Sequence, residues 1–182
     1  MKLPKLTLFS AILIATAATA QVSVMSVPDR DPATPNLDTI KKLVGDWVEL
    51  DEAGVPTDNV VSSYRVTAGG TAVLDVEFGG TDHEMLTVFH QDGDDLVLTH
   101  YCMLGNQPRA RAVKTSAKSA LRFDCDGIPG NAASHDEKHI HGWSIELADD
   151  GVLHYHAALV ENGKVAEEPT FALTRVERSA AR

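Results

Sequence analysis

Ten short segments that alternate polar and apolar residues constrain the fold of this 182-residue chain more than any other feature. Turn sequences such as Gly69-Gly70, Asp92-Gly93-Asp94 and Asn162-Gly163 separate them, and sequences of this kind join antiparallel strands through hairpins. Because such a meander has two unpaired edges, closing it into a barrel removes them. We therefore predict an all-β fold, a single up-and-down antiparallel β-barrel of about 8–10 strands. The predicted strands are Trp47–Asp51, Val60–Thr67, Ala72–Phe78, Glu84–His90, Leu96–Met103, Arg109–Thr115, Ala120–Cys125, His139–Leu147, Val152–Val160 and Thr170–Val176.

A short amphipathic segment leads into the first strand. Asn36 is a candidate helix N-cap, and apolar residues recur at helical spacing from Leu37 to Val44. Gly45-Asp46-Trp47 then puts a large indole at the entrance to the first strand, where the glycine lets the backbone pass close by. We predict a short N-terminal helix that closes one mouth of the barrel, with Trp47 plugging the same end.

The N-terminus has the layout of an export signal. Lys2 and Lys5 form a positively charged start before an apolar run from Leu6 to Ala18, and Ala18-Thr19-Ala20 is a small-x-small cleavage sequence. The apolar run is shorter than the roughly 20 residues that a membrane-spanning helix needs. We predict a signal peptide over residues 1–20, a flexible leader over residues 21–35 and one barrel domain over residues 36–178. The mature protein is then periplasmic or extracellular, without membrane insertion.

The charge balance argues against two classes of partner. The chain has 16 basic and 26 acidic residues, a formal net charge of −10, and loss of Lys2 and Lys5 with the signal peptide makes it −12. Nucleic acids and anionic membrane surfaces attract clustered lysine and arginine. We therefore expect neither as a partner.

Strand parity indicates which polar side chains face the barrel interior, because residues two apart on a strand point the same way. In the fifth, seventh and eighth predicted strands, the face with large apolar residues also carries histidine or cysteine. The fifth strand is apolar on both faces, so its orientation is the least constrained of the three. The predicted set at one end of the interior is His100, Cys102, Cys125, His139 and His141.

Paired carboxylates for acid–base catalysis are not evident in the same pattern. Asp75 and Glu77 lie opposite Leu74, Val76 and Phe78 on the third predicted strand, which predicts that both carboxylates face water. The chain also has no Gly-x-Ser-x-Gly sequence and no glycine-rich phosphate loop. The sequence therefore gives no positive support for an enzyme.

Several uses of the interior histidines and cysteines remain open. Export favours a disulfide between Cys102 and Cys125, but an intervening strand separates their Cα atoms by roughly 9–10 Å, beyond the usual limit of about 7 Å. The set His100, Cys102, Cys125, His139 and His141 also suits a tetrahedral zinc site. A heme bound by His139 or His141 is a further option, although only 5% of residues are aromatic. Hydrogen bonding of the same side chains within a half-polar interior is the alternative to all of these.

A small-molecule site is the function that this pattern favours. An apolar barrel base with a few convergent polar groups near one mouth is typical of a ligand pocket. The candidate ligand-binding residues are His100, Cys102, Arg109, His139 and His141, with the guanidinium and the imidazoles orienting a polar group. The alternatives are a metal-dependent enzyme or a metal or heme carrier that uses the same histidines and cysteines, and an envelope protein-interaction module.

Two parts of the sequence resemble a known family. Leu43 to Trp47, together with Arg175 in the last predicted strand, resemble the lipocalin and wider calycin pattern, in which the Gly-x-Trp tryptophan packs against a late basic residue. The runs from His83 to Val88 and from Leu98 to Arg109 are similar to exported bacterial lipocalin-like proteins of unknown function. The resemblance implies structural roles for Gly45, Trp47 and Arg175 and a cavity for an apolar or amphipathic ligand. With about ten strand signals, the chain also resembles fatty-acid-binding and nitrobindin-type barrels.

Overall fold

The computed structural model describes residues 35–113 and 120–176. The predicted signal peptide, the leader up to residue 34, Lys114 and Thr115 of the sixth predicted strand, and the domain end at residues 177–178 lie outside the described residues. The elements are helix α1 Leu37–Lys41 and strands β1 Gly45–Leu50, β2 Pro56–Thr67, β3 Ala72–Glu77, β4 Met85–Asp92, β5 Asp95–Tyr101, β6 Arg109–Ala112, β7 Ala120–Cys125, β8 His139–Leu147, β9 Leu153–Glu161, β10 Lys164–Glu167 and β11 Thr170–Val176.

The strands form a closed antiparallel barrel. Strands β1 to β9 pair in chain order, β11 pairs with β9, and β11 pairs with β1 to complete the circle. The short β10 pairs with the far end of β9, and Pro169 separates it from β11, so the two share one position in the wall. Ten strands therefore close the barrel, which confirms the predicted all-β, up-and-down architecture with a short helix near the N-terminus.

Helix α1 closes one end of the barrel. Its N-cap is Asn36, whose side-chain oxygen accepts hydrogen bonds from the backbone amides of Asp38 and Thr39. Leu37 and Ile40 are buried, and the amide of Leu37 donates to the Gln91 side chain at the end of β4. Within the part of the chain that the structure describes, no helix has the length and apolar character needed to cross a membrane.

Trp47 fills the closed end beneath this helix. Its side chain is buried, and its Nε1 donates to the carbonyl of Leu43 at 2.8 Å. The Arg175 guanidinium lies 4.7 Å from the centre of the Trp47 ring, in cation–π contact, and donates to the carbonyl of Lys42. Gly45 has a φ of 133°, and a Cβ there would lie 3.4 Å from Arg175 Cδ. Glycine therefore permits the close approach of arginine, indole and backbone.

The interior divides into two halves along the barrel axis. The half beneath α1, here called the closed half, is filled by large apolar side chains that include Trp47, Val73, Phe89, Phe123 and Leu153. The half at the opposite ends of the strands, here called the open half, carries buried polar side chains on the same inward faces. These are Ser62, Asp75, Glu77, Thr87 and His100. The functional groups of the barrel are therefore concentrated away from the helix.

Candidate functional site

Four adjacent strands each contribute one polar side chain to a continuous row on the interior wall. Tyr64 is paired with Asp75, Asp75 with Thr87, and Thr87 with His100 across β2, β3, β4 and β5. All four are buried, with exposures of 3% or less. Directly paired residues on neighbouring strands face the same side of the sheet. The register therefore builds this group, here called the interior polar row, into the barrel wall.

Glu77 joins the interior polar row through Thr87. The Thr87 hydroxyl donates to Glu77 Oε1 at 2.6 Å and lies 2.8 Å from His100 Nδ1. Glu77 Oε1 is itself 3.4 Å from His100 Nδ1. With His100 protonated, Nδ1–H donates to the threonine oxygen, and the threonine O–H donates to the carboxylate. Thr87 therefore orients both ionisable groups.

Side chains from three further positions complete the site. The Ser62 hydroxyl donates to Asp75 Oδ2 at 3.3 Å, and the Tyr155 hydroxyl donates to Glu77 Oε2 at 3.4 Å. The Trp143 ring meets the His100 ring edge-on, with 5.9 Å between centroids. Strands β8 and β9 thus face the interior polar row from the other side of the barrel.

The pKa values of the Asp75 and Glu77 carboxyl groups are shifted in opposite directions. Burial raises the pKa of Asp75 well above its usual range, and the neighbouring Glu77 carboxylate raises it further. Burial opposes ionisation of Glu77 as well, but hydrogen bonds and charge from His100, with help from Thr87 and Tyr155, lower its pKa below the usual value. Burial by itself lowers the pKa of His100, yet Cys102 and Glu77 together raise it to about 9. At neutral pH the site therefore holds a neutral Asp75 beside a Glu77–His100 ion pair.

Four buried polar atoms around this site have no hydrogen-bond partner within the described residues. They are Tyr64 Oη, Asp75 Oδ1, His100 Nε2 and Trp143 Nε1. The Tyr64 hydroxyl lies beside the Asp75 carboxyl, close enough to lower the pKa of that carboxyl. Cys102 lies beside His100, and the Trp143 indole lies beside the Tyr155 hydroxyl. None of these contacts has the geometry of a well-formed hydrogen bond. A buried unsatisfied polar group costs about 1–3 kcal/mol. The four atoms belong to strands β2, β3, β5 and β8, so incompletely satisfied polar groups are concentrated around the interior polar row.

The structure places the predicted site residues in three different environments. His100 lies in the interior polar row, and Cys102 is half-buried beside it. Arg109 is exposed and forms an ion pair with Asp92 at 2.9 Å. Arg109 therefore does not join His100 in the interior as predicted, because its strand position directs the guanidinium to the outer surface.

His139 and His141 do not share the interior face as predicted. The register of β8 against β9 shifts between Ile140 and Gly142, so His141 is an extra residue without a partner in β9. His139 is buried, with 1% exposure, whereas His141 is exposed. Because the bulge adds one residue, the inward positions are odd-numbered after it and even-numbered before it. Ile140 therefore lies in the apolar core, where the histidines were predicted.

His139 and His141 instead lie with Cys125 at the open rim of the barrel. Each of the three residues has one potential ligand atom, and these three atoms lie within 4.8 Å of one another. In the described part of the chain, no other three His, Cys, Asp or Glu side chains come as close together. Burial, followed by the charge of Asp126, raises the pKa of the Cys125 thiol. Burial and then the charge of His139 lower the pKa of His141. His100 and Cys102 are not part of this group, here called the rim cluster.

The predicted disulfide is not formed, since Cys102 and Cys125 are both free thiols. Cys125 is level with Leu98 through Ala110 in β6, and Cys102 lies four residues further along than Leu98. Two strand spacings separate the cysteines laterally by about 9–10 Å, and the axial offset adds to this. That separation exceeds the limit of about 7 Å for a disulfide.

The loop from Asp126 to Lys138 lies over the rim cluster and is tied to the turn after β5. Gln107 and Gly130 exchange backbone hydrogen bonds, and the Asn106 side chain donates to the carbonyl of Lys138 at 2.9 Å. Asn106 is therefore a buried structural residue that positions the loop. His135 lies on this loop, with its ring centroid 6.2 Å from that of His139.

Sequence reasoning missed Asp75 and Glu77, the carboxyl groups of the site. Both were predicted to face water, but they are 0% and 3% exposed. Strand β3 is apolar on both faces, with Val73 inside and Leu74 and Val76 half-buried outside. The pairing between strands contains the information that was missing, because it places Asp75 between Tyr64 and Thr87. An argument from the alternation of a single strand does not use this pairing.

A separate groove lies on the outer surface of β1, β2 and β3. Its volume is about 700 Å³, and its lining includes Val60, Ser63, Arg65, Val76 and Val176. Ser63 and Val76 are paired and alternate with the inward Tyr64 and Asp75. Most of the groove therefore lies on the outer face of the wall, and Tyr64 is the member of the interior polar row that also lines it.

Comparisons of this chain with protein-family models, curated proteins and solved structures find no match. The closed ten-stranded barrel is consistent with a lipocalin-like architecture.

Proposed function

We propose that this protein is an exported lipocalin-like barrel that binds a small amphipathic molecule in its open half. The observation that carries the proposal is the set of buried polar atoms on Tyr64, Asp75, His100 and Trp143 that make no well-formed hydrogen bond within the described part of the chain. They come from four strands of one closed wall, and a small molecule that reached them would satisfy several at once. This is the arrangement of a few fixed polar groups that orient a ligand in a barrel.

The chemistry of these atoms favours a ligand head rich in hydrogen-bond acceptors. Tyr64 and Trp143 present an O–H and an N–H donor. Because the pKa of His100 is raised to about 9, its Nε2 also carries a proton at neutral pH. The positive charge is already balanced by Glu77 at 3.4 Å. A carbonyl, carboxylate or sulfonate group fits such a site better than a cationic group does.

Aromatic side chains near the open end provide contacts for an apolar ligand tail. Phe78 and Phe171 pack edge-on at 5.9 Å, and Phe171 lies 6.3 Å from Tyr155. Both phenylalanines are only half-buried. An amphipathic ligand with its polar head on the interior polar row would cover them, and burial of apolar area contributes about 25 cal/mol per Å².

Native mass spectrometry of protein purified from its own host tests the proposal. We expect a retained organic mass in the wild type and in Tyr101→Phe, a matched control because Tyr101 is exposed. Tyr64→Phe removes a buried donor without changing shape and is expected to reduce the retained fraction. A bare polypeptide mass, together with interior electron density that fits only ordered water, would overturn the binding proposal.

A fluorescence titration with anilinonaphthalene sulfonate gives a second readout. The probe has an apolar body and an acceptor-rich head. A lost hydrogen bond of about 0.5–1.5 kcal/mol weakens binding roughly 2- to 12-fold. We expect this loss in Tyr64→Phe and Trp143→Phe and none in Tyr101→Phe. Equal affinity in all three variants would mean that the probe, and by inference the ligand, binds elsewhere.

Export is a separate part of the proposal, supported by the charged start, apolar run and small-x-small sequence of residues 1–20. N-terminal sequencing of protein from the host's cell envelope is expected to begin at Gln21. A mature chain that still begins at Met1, recovered with cytoplasmic markers, would contradict export and leave the binding proposal standing.

Acid–base catalysis is the second candidate function, favoured by the opposite pKa shifts of neighbouring carboxyl groups. Asp75 stays protonated as a potential acid, while Glu77 and His100 are ionised. The test is to incubate the molecule recovered from the host with wild type and Asp75→Asn. Conversion by wild type and not by Asp75→Asn would support an enzyme, and unchanged recovery from both would exclude this candidate for that molecule.

A further inference from the structure

We propose that Cys125, His139 and His141 bind one thiophilic divalent cation, such as zinc, at the open rim of the barrel. This site is independent of the proposed small-molecule site, since it shares no residue with the interior polar row. One thiolate and two imidazoles are a ligand set that zinc favours.

The separation of the two imidazoles matches that expected for a shared ion. His139 Nε2 and His141 Nδ1 are 3.3 Å apart. Two nitrogens at Zn–N distances of 2.0–2.1 Å and a tetrahedral angle are separated by roughly 3.3 Å. Cys125 Sγ lies within 4.8 Å of one ring nitrogen of each histidine. Small side-chain rotations therefore suffice to direct all three ligand atoms at one point.

A hydrogen bond to the backbone orients His139 for metal binding. His139 Nδ1 lies 2.7 Å from the carbonyl oxygen of Glu137. Since a carbonyl only accepts, Nδ1 carries the proton and Nε2 presents its lone pair towards His141. A ligating histidine whose other nitrogen donates to a backbone carbonyl is the usual arrangement in protein metal sites.

The β-bulge in β8 supplies the second imidazole. His139 pairs with Val160 and Ile140 with Leu159, and the next pairing is Gly142 with Ala158. His141 is the extra residue, so it is released from the alternation and turns towards His139, with ring centroids 5.5 Å apart. Bulges often redirect a side chain at a barrel rim in this way.

The surroundings leave a fourth coordination position open to a further ligand. His135 is on the loop above the site, with its ring 6.2 Å from that of His139. We assign the fourth position to His135 or to water, and a His135 variant distinguishes them. A fourth histidine gives a closed structural site, whereas water gives an open one.

Metal titration of the reduced, full mature chain tests the proposal, with Zn²⁺ in calorimetry and Co²⁺ as the spectroscopic probe. We expect one equivalent to bind, with tetrahedral Co²⁺ bands and a thiolate-to-cobalt charge-transfer band. Cys125→Ser is expected to lose the charge-transfer band, and both Cys125→Ser and His141→Gln are expected to weaken binding more than about 100-fold, the upper range for losing a supporting second-shell group. The matched controls, Cys102→Ser and His83→Gln, are expected to retain wild-type affinity.

The two free thiols provide a test within a single chain. Zn²⁺ is expected to slow alkylation of Cys125 by iodoacetamide and to leave the rate at Cys102 unchanged, as read by peptide mass spectrometry. In His135→Gln, retained tetrahedral bands with weaker affinity assign the fourth ligand to His135, and unchanged affinity assigns it to water. The proposal is overturned if Cys125→Ser, folded by circular dichroism, binds Zn²⁺ as tightly as wild type, or if wild type binds none.

Discussion

The closed and open halves of this barrel are made by the same strands but differ in what their side chains do. In β3 the inward residues change from Val73 in the closed half to Asp75 and Glu77 in the open half. In β5 they change from Leu98 to His100 over the same distance. Burial is nearly complete in both halves, so exposure does not distinguish them.

The difference lies in how well each half satisfies its own groups. Trp47 in the closed half has its single donor bonded to Leu43 and its face covered by Arg175. In the open half, Asp75 Oδ1 and His100 Nε2 make no well-formed hydrogen bond within the described residues. A region whose polar groups are all hydrogen-bonded within the protein is typical of a structural scaffold. A region that leaves buried polar groups without hydrogen bonds is typical of a functional site. The following predictions test whether stability and chemistry separate between the halves in this way.

The largest expected effect is on the closed half. Trp47→Ala removes a fully buried indole, its hydrogen bond and the surface on which Arg175 stacks. We expect the free energy of unfolding, measured by urea denaturation, to fall by about 3–5 kcal/mol. Trp47→Phe is the control and should recover most of the loss, because it restores aromatic volume. A change below about 1 kcal/mol in Trp47→Ala would show that this end does not carry the stability of the barrel.

A pH dependence of stability is expected from the open half. The pKa of His100 is raised to about 9 in the folded protein, against about 6.5 when unfolded. The stabilisation from its ion pair is therefore fully present below about pH 6.5 and is lost as pH rises to about 9. We expect a loss of about 2–3 kcal/mol across this window. Denaturation midpoints measured from pH 6 to pH 9.5 report it.

Glu77→Gln is the control for this pH dependence. Without the carboxylate, only Cys102 still opposes the effect of burial on the pKa of His100, so that pKa should fall and the stability curve between pH 6.5 and 9 should become shallower. At pH 6.5 the variant should be less stable than wild type. The raised pKa of Asp75 also makes stability fall as pH rises, and Asp75→Asn removes that contribution while leaving the one from His100. An unchanged slope in Glu77→Gln would refute the ion pair.

Replacement of Asp75, two residues before Glu77 on β3, is expected to have the opposite effect on stability from replacement of Glu77. Asp75 is neutral when folded because burial raises its pKa, whereas it is ionised in the unfolded chain at pH 7. Each unit of that difference costs roughly 1.4 kcal/mol of stability. Asp75→Asn avoids this cost, so the variant should be more stable than wild type at pH 7, and the gain should vanish below about pH 4. Destabilisation at pH 7 would show that Asp75 is ionised in the barrel.

The fold could be predicted from the sequence because its signals are local and repeated. Alternation and hairpin turns recur along the chain, and strands β1 to β9 pair with their neighbours in sequence. A long-range pairing is needed only where β11 meets β1 and closes the barrel. The N-cap at Asn36 is equally local, since its side chain bonds amides two and three residues later. Errors in one strand end, such as the earlier start of β2 at Pro56, did not alter the architecture.

The site was harder to predict because it depends on relations between strands. Parity gave the correct face for His100 but not for Asp75 and Glu77, since β3 has apolar residues on both faces. Gly142, an isolated glycine inside the strand, is a common sign of a bulge, but the parity argument extended strict alternation through it. The separation of Cys102 from Cys125 depends on the register of three strands. Register is a tertiary property, and the residues that form the site follow it.

The smallest expected effect is on the N-cap of α1, at the closed end of the barrel. Asn36→Ala removes the side-chain oxygen that caps α1, and a lost N-cap costs about 1 kcal/mol. Asn36→Asp keeps an acceptor at the same position and should stay within a few tenths of wild type in urea denaturation. The helix contacts the ends of β2, β3 and β4 and not the open rim. Probe binding and Zn²⁺ binding should therefore be unchanged in Asn36→Ala, and a loss of either would show that the two halves are coupled through the barrel wall.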